Sequence, residues 1–196
     1  NIMYEIGRLR EITFRQVGEG TNQTIDTDRF DLYYRHMFVW DNKDQQIVGA
    51  YRVGMGNEIM ENFGISGFYT DTLFKLSPEL GETLSQTIEL GRSFIVKKYQ
   101  RKSQSLLLLW KGILHILLRN SHYRYLMGPV TMSGKLNDSS KLMIINYLQN
   151  QHFDNEIGRL ITPRIGLANL GKKKFDNESI SNIDSIDLID KLVLDM

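Results

Sequence analysis

The sequence predicts an α/β fold, a mixed central β-sheet flanked by helices on both faces. Two observations carry that expectation. An aromatic-rich run, Tyr33–Trp40, and a largely apolar run, Gln46–Met55, flank the polar turn Asp41–Gln45, as in a β-hairpin. Further on, the β-favouring stretch Thr87–Val96 leads through a basic loop into the apolar helical run Ser103–Arg119, and then into a strand at Tyr123–Met132. A strand–helix–strand crossover sets its two strands parallel, whereas the hairpin is antiparallel, so the sheet is mixed.

Taken in order, residues Asn1–Val17 space Ile2, Ile6, Leu9 and Ile12 as an amphipathic helix that Gly18 and Gly20 close. Thr21–Asp31 is a polar loop, followed by the hairpin. Gly56–Gly81 mixes glycines, aromatics and short apolar pairs, and its one clear signal is a helix start at Ser77-Pro78-Glu79. The helix Ser103–Arg119 has Ser103 or Ser105 available as N-cap. Its core, Leu106–Leu118, is interrupted by Lys111 and His115, which makes it a buried helix rather than a membrane span. A further helix, Ser139–Gln151, is expected to be capped by Ser139 or Ser140. Phe153–Ser179 reads as irregular, with a basic triplet at Lys172–Lys174, and Ser185–Met196 returns to helical periodicity.

The chain has 196 residues, 41% of them hydrophobic and 24% charged, as expected of one ordinary globular domain. A net charge of +1 gives no global attraction to nucleic acid. Cysteine is absent, which excludes disulfides, thiolate metal sites and a cysteine nucleophile, and fits a reducing cytoplasm. No secretory signal is read at the N-terminus. His36, His115, His122 and His152 show no ligand spacing, so no metal site is expected.

The chemistry gathers around Thr87–Lys102. Glu89 and Arg92 stand in one strand at E-x-x-R spacing, and both are costly to bury unless paired or used. They read either as a structural ion pair or as the poles of a site. Strict alternation would send them to opposite faces. Gly91 suits a bulge that would reunite them and aim backbone N–H groups into a cleft. Arg52, within AYRVG, reads as a bidentate carboxylate clamp or as a surface arginine on an edge strand. Asp28 and Asp31 read, from the residues alone, as turn and cap residues. Lys97, Lys98, Arg101 and Lys102 form a cationic loop before Ser103, fit for an anionic ligand at a helix N-terminus or simply solvated.

The blocks YEIGRLREITFR (4–15), DRFDLYYRHMFVWD (28–41), IVGAYRVG (47–54), IELGRSFI (88–95) and LLLLWKGI (106–113) together resemble the GNAT acyltransferase superfamily. More narrowly, the chain is similar to the branch that N-acylates amino acids with fatty acyl chains carried on acyl carrier protein. That branch comprises the ornithine and glycine N-acyltransferases of aminolipid synthesis, often labelled haemolysin-like, and is related to the acyl-homoserine-lactone synthases. The resemblance implies a GNAT-like fold and transfer of an acyl chain, of the 3-hydroxyacyl type, to the α-amine of glycine or ornithine. Glu89 and Arg92 would be catalytic, with Glu89 the base, directly or through water. Asp28, Asp31, Arg52 and Ser93 would surround the acceptor. Lys97, Lys98, Arg101, Lys102 and Ser103 would meet the carrier and its phosphopantetheine. A homoserine-lactone synthase using S-adenosylmethionine, or a carrier-binding domain without turnover, remains the alternative.

Two departures from the family pattern shape the remaining expectations. YQRKSQS lacks the glycines of the usual phosphate loop, and without them the backbone wraps a pyrophosphate less closely. Acyl carrier protein is therefore expected as co-substrate ahead of acyl coenzyme A, with no bound cofactor, no nucleic acid, and peripheral contact with a membrane surface through the lipid product. The family pattern also continues into further sheet-forming sequence, whereas the chain stops at Met196. Part of the acceptor pocket is expected to be missing.

Overall fold

The computed structural model describes residues 1–165 apart from Ser133 and Lys135, so Lys172–Lys174 and the pattern at Ser185–Met196 lie outside the described residues. The chain divides into two compact units, one of residues 1–72 and 78–130, the other of residues 73–77 and 131–196.

In the first unit, helix α1 (Ile2–Gln16) starts at Asn1, whose side chain accepts from the Met3 amide, and ends before Gly18, which takes the left-handed conformation. Strands β1 (Arg35–Asp41) and β2 (Gln46–Met55) form the expected antiparallel hairpin. Strand β4 (Thr87–Ile95) pairs antiparallel with β2 on its other side, and β5 (Tyr125–Met127) pairs parallel with β4. The sheet is therefore mixed, in the order β1-β2-β4-β5. Strand β2 is central, so Arg52 does not sit on an edge.

Helices cover both faces. On one, Ile6 and Leu9 of α1 pack with Ile47, Ala50 and Phe94. On the other, Ile116 and Leu117 of α4 (Ser103–Arg119) pack with Val53, Met55, Ile88 and Tyr123. Gly112 lets α4 lie close to β1, since a Cβ there would stand 2.3 Å from the Met37 sulfur.

Several expectations need correction. Helix α4 has the predicted bounds but is not buried all round: Ser105, Leu109 and Ile113 are buried, while Leu106, Leu107, Leu108, Trp110, Leu114 and Leu118 are exposed. An apolar sequence without a polar stripe does not reveal which side has a neighbour, and here the sheet supplies one side only. Its N-cap is Lys102, without a side-chain bond, rather than Ser103 or Ser105. The strand expected at Tyr123–Met132 shortens to three residues, as its ladder with β4 ends at Met127, two residues before Pro129. The loop Thr21–Asp31 runs into a 3₁₀ turn at Arg29–Leu32. Gly56–Gly81 resolves into helix α2 (Gly56–Phe63) and 3₁₀ turns at Ile65–Gly67, Thr70–Thr72 and Pro78–Leu80, and helix α3 (Gly81–Ser85) follows.

The second unit pairs β3 (Phe74–Leu76) antiparallel with β6 (Ile161–Pro163). Its helix α5 (Asp138–Gln151) is capped by Asn137, which accepts from the Ser140 amide at 2.8 Å, rather than by Ser139 or Ser140. The short helix α6 (Asn155–Gly158), capped by Asp154, and β6 lie where irregular chain was expected.

Candidate functional site

The site begins with one extra residue. Across β2 and β4, Gly54 faces Glu89 and Arg52 faces Gly91, but Ala50 faces Phe94. Strand β4 thus holds one residue more than β2 in this interval, as the E-x-x-R spacing demanded. The left-handed conformation falls on Arg92, φ +49°, rather than on Gly91. For a residue with a Cβ this costs of order 1–3 kcal/mol, which the surroundings must offset. The result is that Arg92 reaches the same polar cluster as Arg52.

Glu89 is 1% exposed and is held by four donors. Its Oε1 accepts from the Thr70 amide at 2.7 Å and the Thr70 hydroxyl at 2.5 Å. Its Oε2 accepts from the Tyr69 amide at 3.0 Å and from the Tyr34 hydroxyl. Glu89 and Arg92 therefore do not form an ion pair with each other; the carboxylate is satisfied by hydroxyls and backbone. Burial, with the neighbouring Glu89 charge added, raises the Tyr34 phenol well above its ordinary value, so Tyr34 stays protonated as a donor. Glu89 is also the last residue that β5 pairs, opposite Met127, so the carboxylate sits where the two parallel strands part.

Three arginines and three aspartates surround this point. Arg52, 1% exposed, donates through Nη1 to Asp28 at 2.6 Å and to Asp31 at 3.4 Å. The rings of Phe30, Tyr34 and Tyr69 lie 5.1–5.5 Å from its guanidinium carbon. Arg10, on α1, grips both Asp31 oxygens at 3.2 Å. Arg92 stands 3.5 Å from Asp28 and 3.7 Å from Asp26. Burial lowers the Arg10 pKa and raises that of Asp26 despite Arg92 and Arg10. Burial is the largest single influence on Asp28 and pushes its carboxyl up, but the hydrogen bond and charge of Arg52, the Phe30 amide and the Arg92 charge together outweigh it and hold the carboxyl below its usual range. Asp28 and Asp31 serve as caps as well, forming a reciprocal capping box at Arg29–Leu32, so the turn-and-cap reading holds. Several buried atoms here have no hydrogen-bond partner: Nε and Nη2 of Arg52, Nε of Arg10 and Arg92, Oδ2 of Asp26 and Nδ1 of His36.

Comparison with known proteins identifies the family of the chain that carries this cluster. Residues 9–111 fit the model of the acetyltransferase (GNAT) domain. The chain belongs to the GNAT family. The glycine N(alpha)-acyltransferase of Phocaeicola vulgatus is 36% identical over 174 residues, covering 83% of this chain and 53% of that protein. The glycine N(alpha)-acyltransferase of Bacteroides thetaiotaomicron is 35% identical over 174 residues, covering 83% and 51%. The chain thus spans about half the length of these curated relatives. No solved structure matches it.

Elsewhere on this GNAT chain, Ser93 is exposed on the bulge. Lys97–Tyr99 form a 3₁₀ turn, and Lys98 is tied to Asp44 of the hairpin turn. Lys102 lies 4.8 Å from the Tyr99 ring, whose hydroxyl bonds Asp41 and Gln46, both at 2.7 Å. Arg101 and Ser103 are exposed. A hollow of about 250 Å³, lined by Trp40, Val48, Tyr99, Lys102, Ser105 and Leu108 among others, adjoins this loop; its lining does not include Glu89, Arg52 or Arg92. Among the described residues no cluster of side chains could hold a metal ion.

The sequence reading missed Arg10, Asp26, Tyr34, Tyr69 and Thr70. Arg10 left a usable signal: it stands four residues after Ile6 and one after Leu9, on the apolar side of α1. Tyr69 and Thr70 left none, because they act chiefly through backbone amides.

Proposed function

We propose that this chain is the catalytic part of an N-acyltransferase that moves a fatty acyl chain, 3-hydroxyacyl in type, from acyl carrier protein to the α-amine of glycine or a similarly small amino acid. The observation that carries this reading is the free edge of Arg52. Its Nη1 is committed to Asp28, while Nε and Nη2, the pair that grips a carboxylate side-on, have no partner. The names of the two curated relatives point to the same acceptor.

In the reaction, the acceptor nitrogen attacks the thioester carbonyl, a C–N bond forms, the C–S bond breaks, and the pantetheine leaves as a thiol. The amine must give up a proton, and Glu89 is the base. All its lone-pair directions are taken by donors, so the proton reaches it through the hydroxyl of Tyr34 or Thr70, and returns by that route to the departing sulfur. Arg92 and the backbone amides of the bulge at Ser93 receive the oxyanion. Arg52 clamps the acceptor carboxylate, with Asp28 and Asp31 holding its guanidinium. The acidic carrier docks on Lys97, Arg101 and Lys102 beside Ser103, while Lys98 is mainly a strut to Asp44. The same reading assigns the enzyme to aminolipid synthesis and to the cytoplasm.

The deciding experiment incubates the purified chain with acyl carrier thioester or acyl coenzyme A, and with glycine, ornithine or ethylamine, and reads products by mass spectrometry. N-acylglycine formed faster from the carrier thioester supports the reading. Absence of any N-acyl product, or equal acylation of ethylamine, overturns it. Release of acyl homoserine lactone from S-adenosylmethionine would assign the lactone synthase instead.

A further inference from the structure

Helix α4 buries one side against the sheet and leaves an ordered pattern on the other. Leu106, Trp110, Leu114 and Leu118 follow one another at intervals of four, forming a single row up the helix, and are 49%, 56%, 53% and 74% exposed. The adjacent row, Leu107, Lys111, His115 and Arg119, is also exposed and carries two permanent cations. No aspartate or glutamate occurs between residues 97 and 137, a stretch that also contains the cations of the Lys97–Lys102 loop at the N-terminal end of the same helix. We infer that this face of α4 is a docking surface for an anionic lipid bilayer. The helix would lie in the interface with the Leu106–Leu118 row among the acyl chains and Lys111 and Arg119 at the headgroups.

Three physical points favour lipid over other occupants. The exposed row is a convex ridge, to which a fluid bilayer conforms, whereas a protein partner would need a matching groove. A second copy docking symmetrically through the same face would bring two cationic rows together without a carboxylate to separate them. An apolar row bordered by lysine and arginine is also the pattern that holds a helix parallel to a charged interface, and no helix among the described residues is long and apolar enough to cross a membrane. The surface is built from Trp110, Lys111, Leu114, Leu118 and Arg119, none of which belongs to the Glu89–Arg52 cluster.

The test uses the full chain and flotation with phosphatidylcholine vesicles prepared with or without phosphatidylglycerol. Binding is expected only where phosphatidylglycerol is present, and it should weaken as salt rises. Leu114→Glu should abolish it. Lys111→Glu with Arg119→Glu should weaken it at least about 25-fold, at roughly fivefold for each cation lost near an anionic surface. In a Trp40→Phe background, the emission of Trp110 should shift to the blue on binding. These positions are exposed, so circular dichroism of each variant should match the parent. Failure to float with anionic vesicles would overturn the proposal, as would binding that the Leu114 variant retains. A dimer that Leu114→Glu dissolves would assign the face to a second copy. Loss of acyl carrier binding in that variant, without loss of vesicle binding, would assign it to a protein.

Discussion

Gly54 and Glu89 face one another across the β2–β4 ladder, and the Tyr34 ring occupies the space that a side chain on Gly54 would need. A Cβ at residue 54 would stand 2.4 Å from Cε1 of Tyr34. The glycine is therefore what lets a tyrosine lie over the strand and donate to the carboxylate of its cross-strand neighbour. Gly54→Ala should force the ring aside, costing about 1–3 kcal/mol as overpacking does. Thermal unfolding should show the loss, and acylation should fall with it. An alanine variant as stable as the parent would mean that the ring relocates freely.

Glu89→Gln replaces one acceptor oxygen with an NH₂ group. The hydroxyls of Tyr34 and Thr70 can rotate to accept from it, but the amides of Tyr69 and Thr70 cannot. With the NH₂ on the Oε2 side, the Tyr69 amide keeps the Tyr34 hydroxyl oxygen, 3.0 Å away, as its acceptor, so stability should fall by no more than about 1 kcal/mol. Turnover of correctly folded variant should fall by roughly 10²–10⁴-fold. Single-turnover acylation alongside circular dichroism separates the two effects, and turnover near that of the parent would remove Glu89 as the base.

Arg52→Lys keeps the charge beside Asp28 and Asp31 but removes the flat two-pronged edge. The KM for glycine should rise by tenfold or more, while the rate with saturating carrier thioester and a carboxylate-free amine should hardly change. If both acceptors lose activity equally, Arg52 serves only the aspartates. A lowered Tm in that case would show the pairing to be structural.

Glu11 gives a prediction in acid. Its carboxylate accepts from the Thr21 hydroxyl at 2.6 Å, the Thr21 and Asn22 amides, and Arg15. The Thr21 bond is the largest of the influences that together hold its pKa at about 2, against an ordinary value of 4.5. A depressed folded pKa means that this anchor contributes fully above pH 4.5 and is lost as pH falls towards 2. Glu11→Gln should thus be less stable than the parent at neutral pH, and its stability should decline less between pH 4.5 and 2. Denaturant midpoints measured across that window would show it; parallel curves for the two proteins would refute the assignment.

How much of this was legible in the sequence follows from what each element depends on. The bounds of β2 and α4 could be read to the residue, because a predominantly apolar pattern between turn residues sets them. Gly56–Gly81 could not, since α2 begins at Met55 and Gly56 without a side-chain cap, and the chain then advances through single 3₁₀ turns with no period. The need for a bulge was visible in the E-x-x-R spacing, yet its strained residue was not: Gly91 has the freedom, but Arg92 takes the conformation because its guanidinium is drawn to Asp26 and Asp28. Arg52 was recognised as out of place in an apolar strand, and Asp28 and Asp31 were named beside it through the family resemblance, but the residues alone did not show that the two aspartates would pair with it.

The extra residue in β4 also sets the phase of the strand. Before it, Glu89 and Gly91 lie over the α1 side; after it, Phe94 fills the core on that same side. The same residues paired in strict alternation, without the bulge, could not keep both. If they held Glu89 in place, Phe94 would turn away from Ile6 and Leu9; if they held Phe94, Glu89 would turn away from Tyr34 and Thr70. Acid chemistry and hydrophobic packing in β4 are thus compatible only because the strand miscounts once.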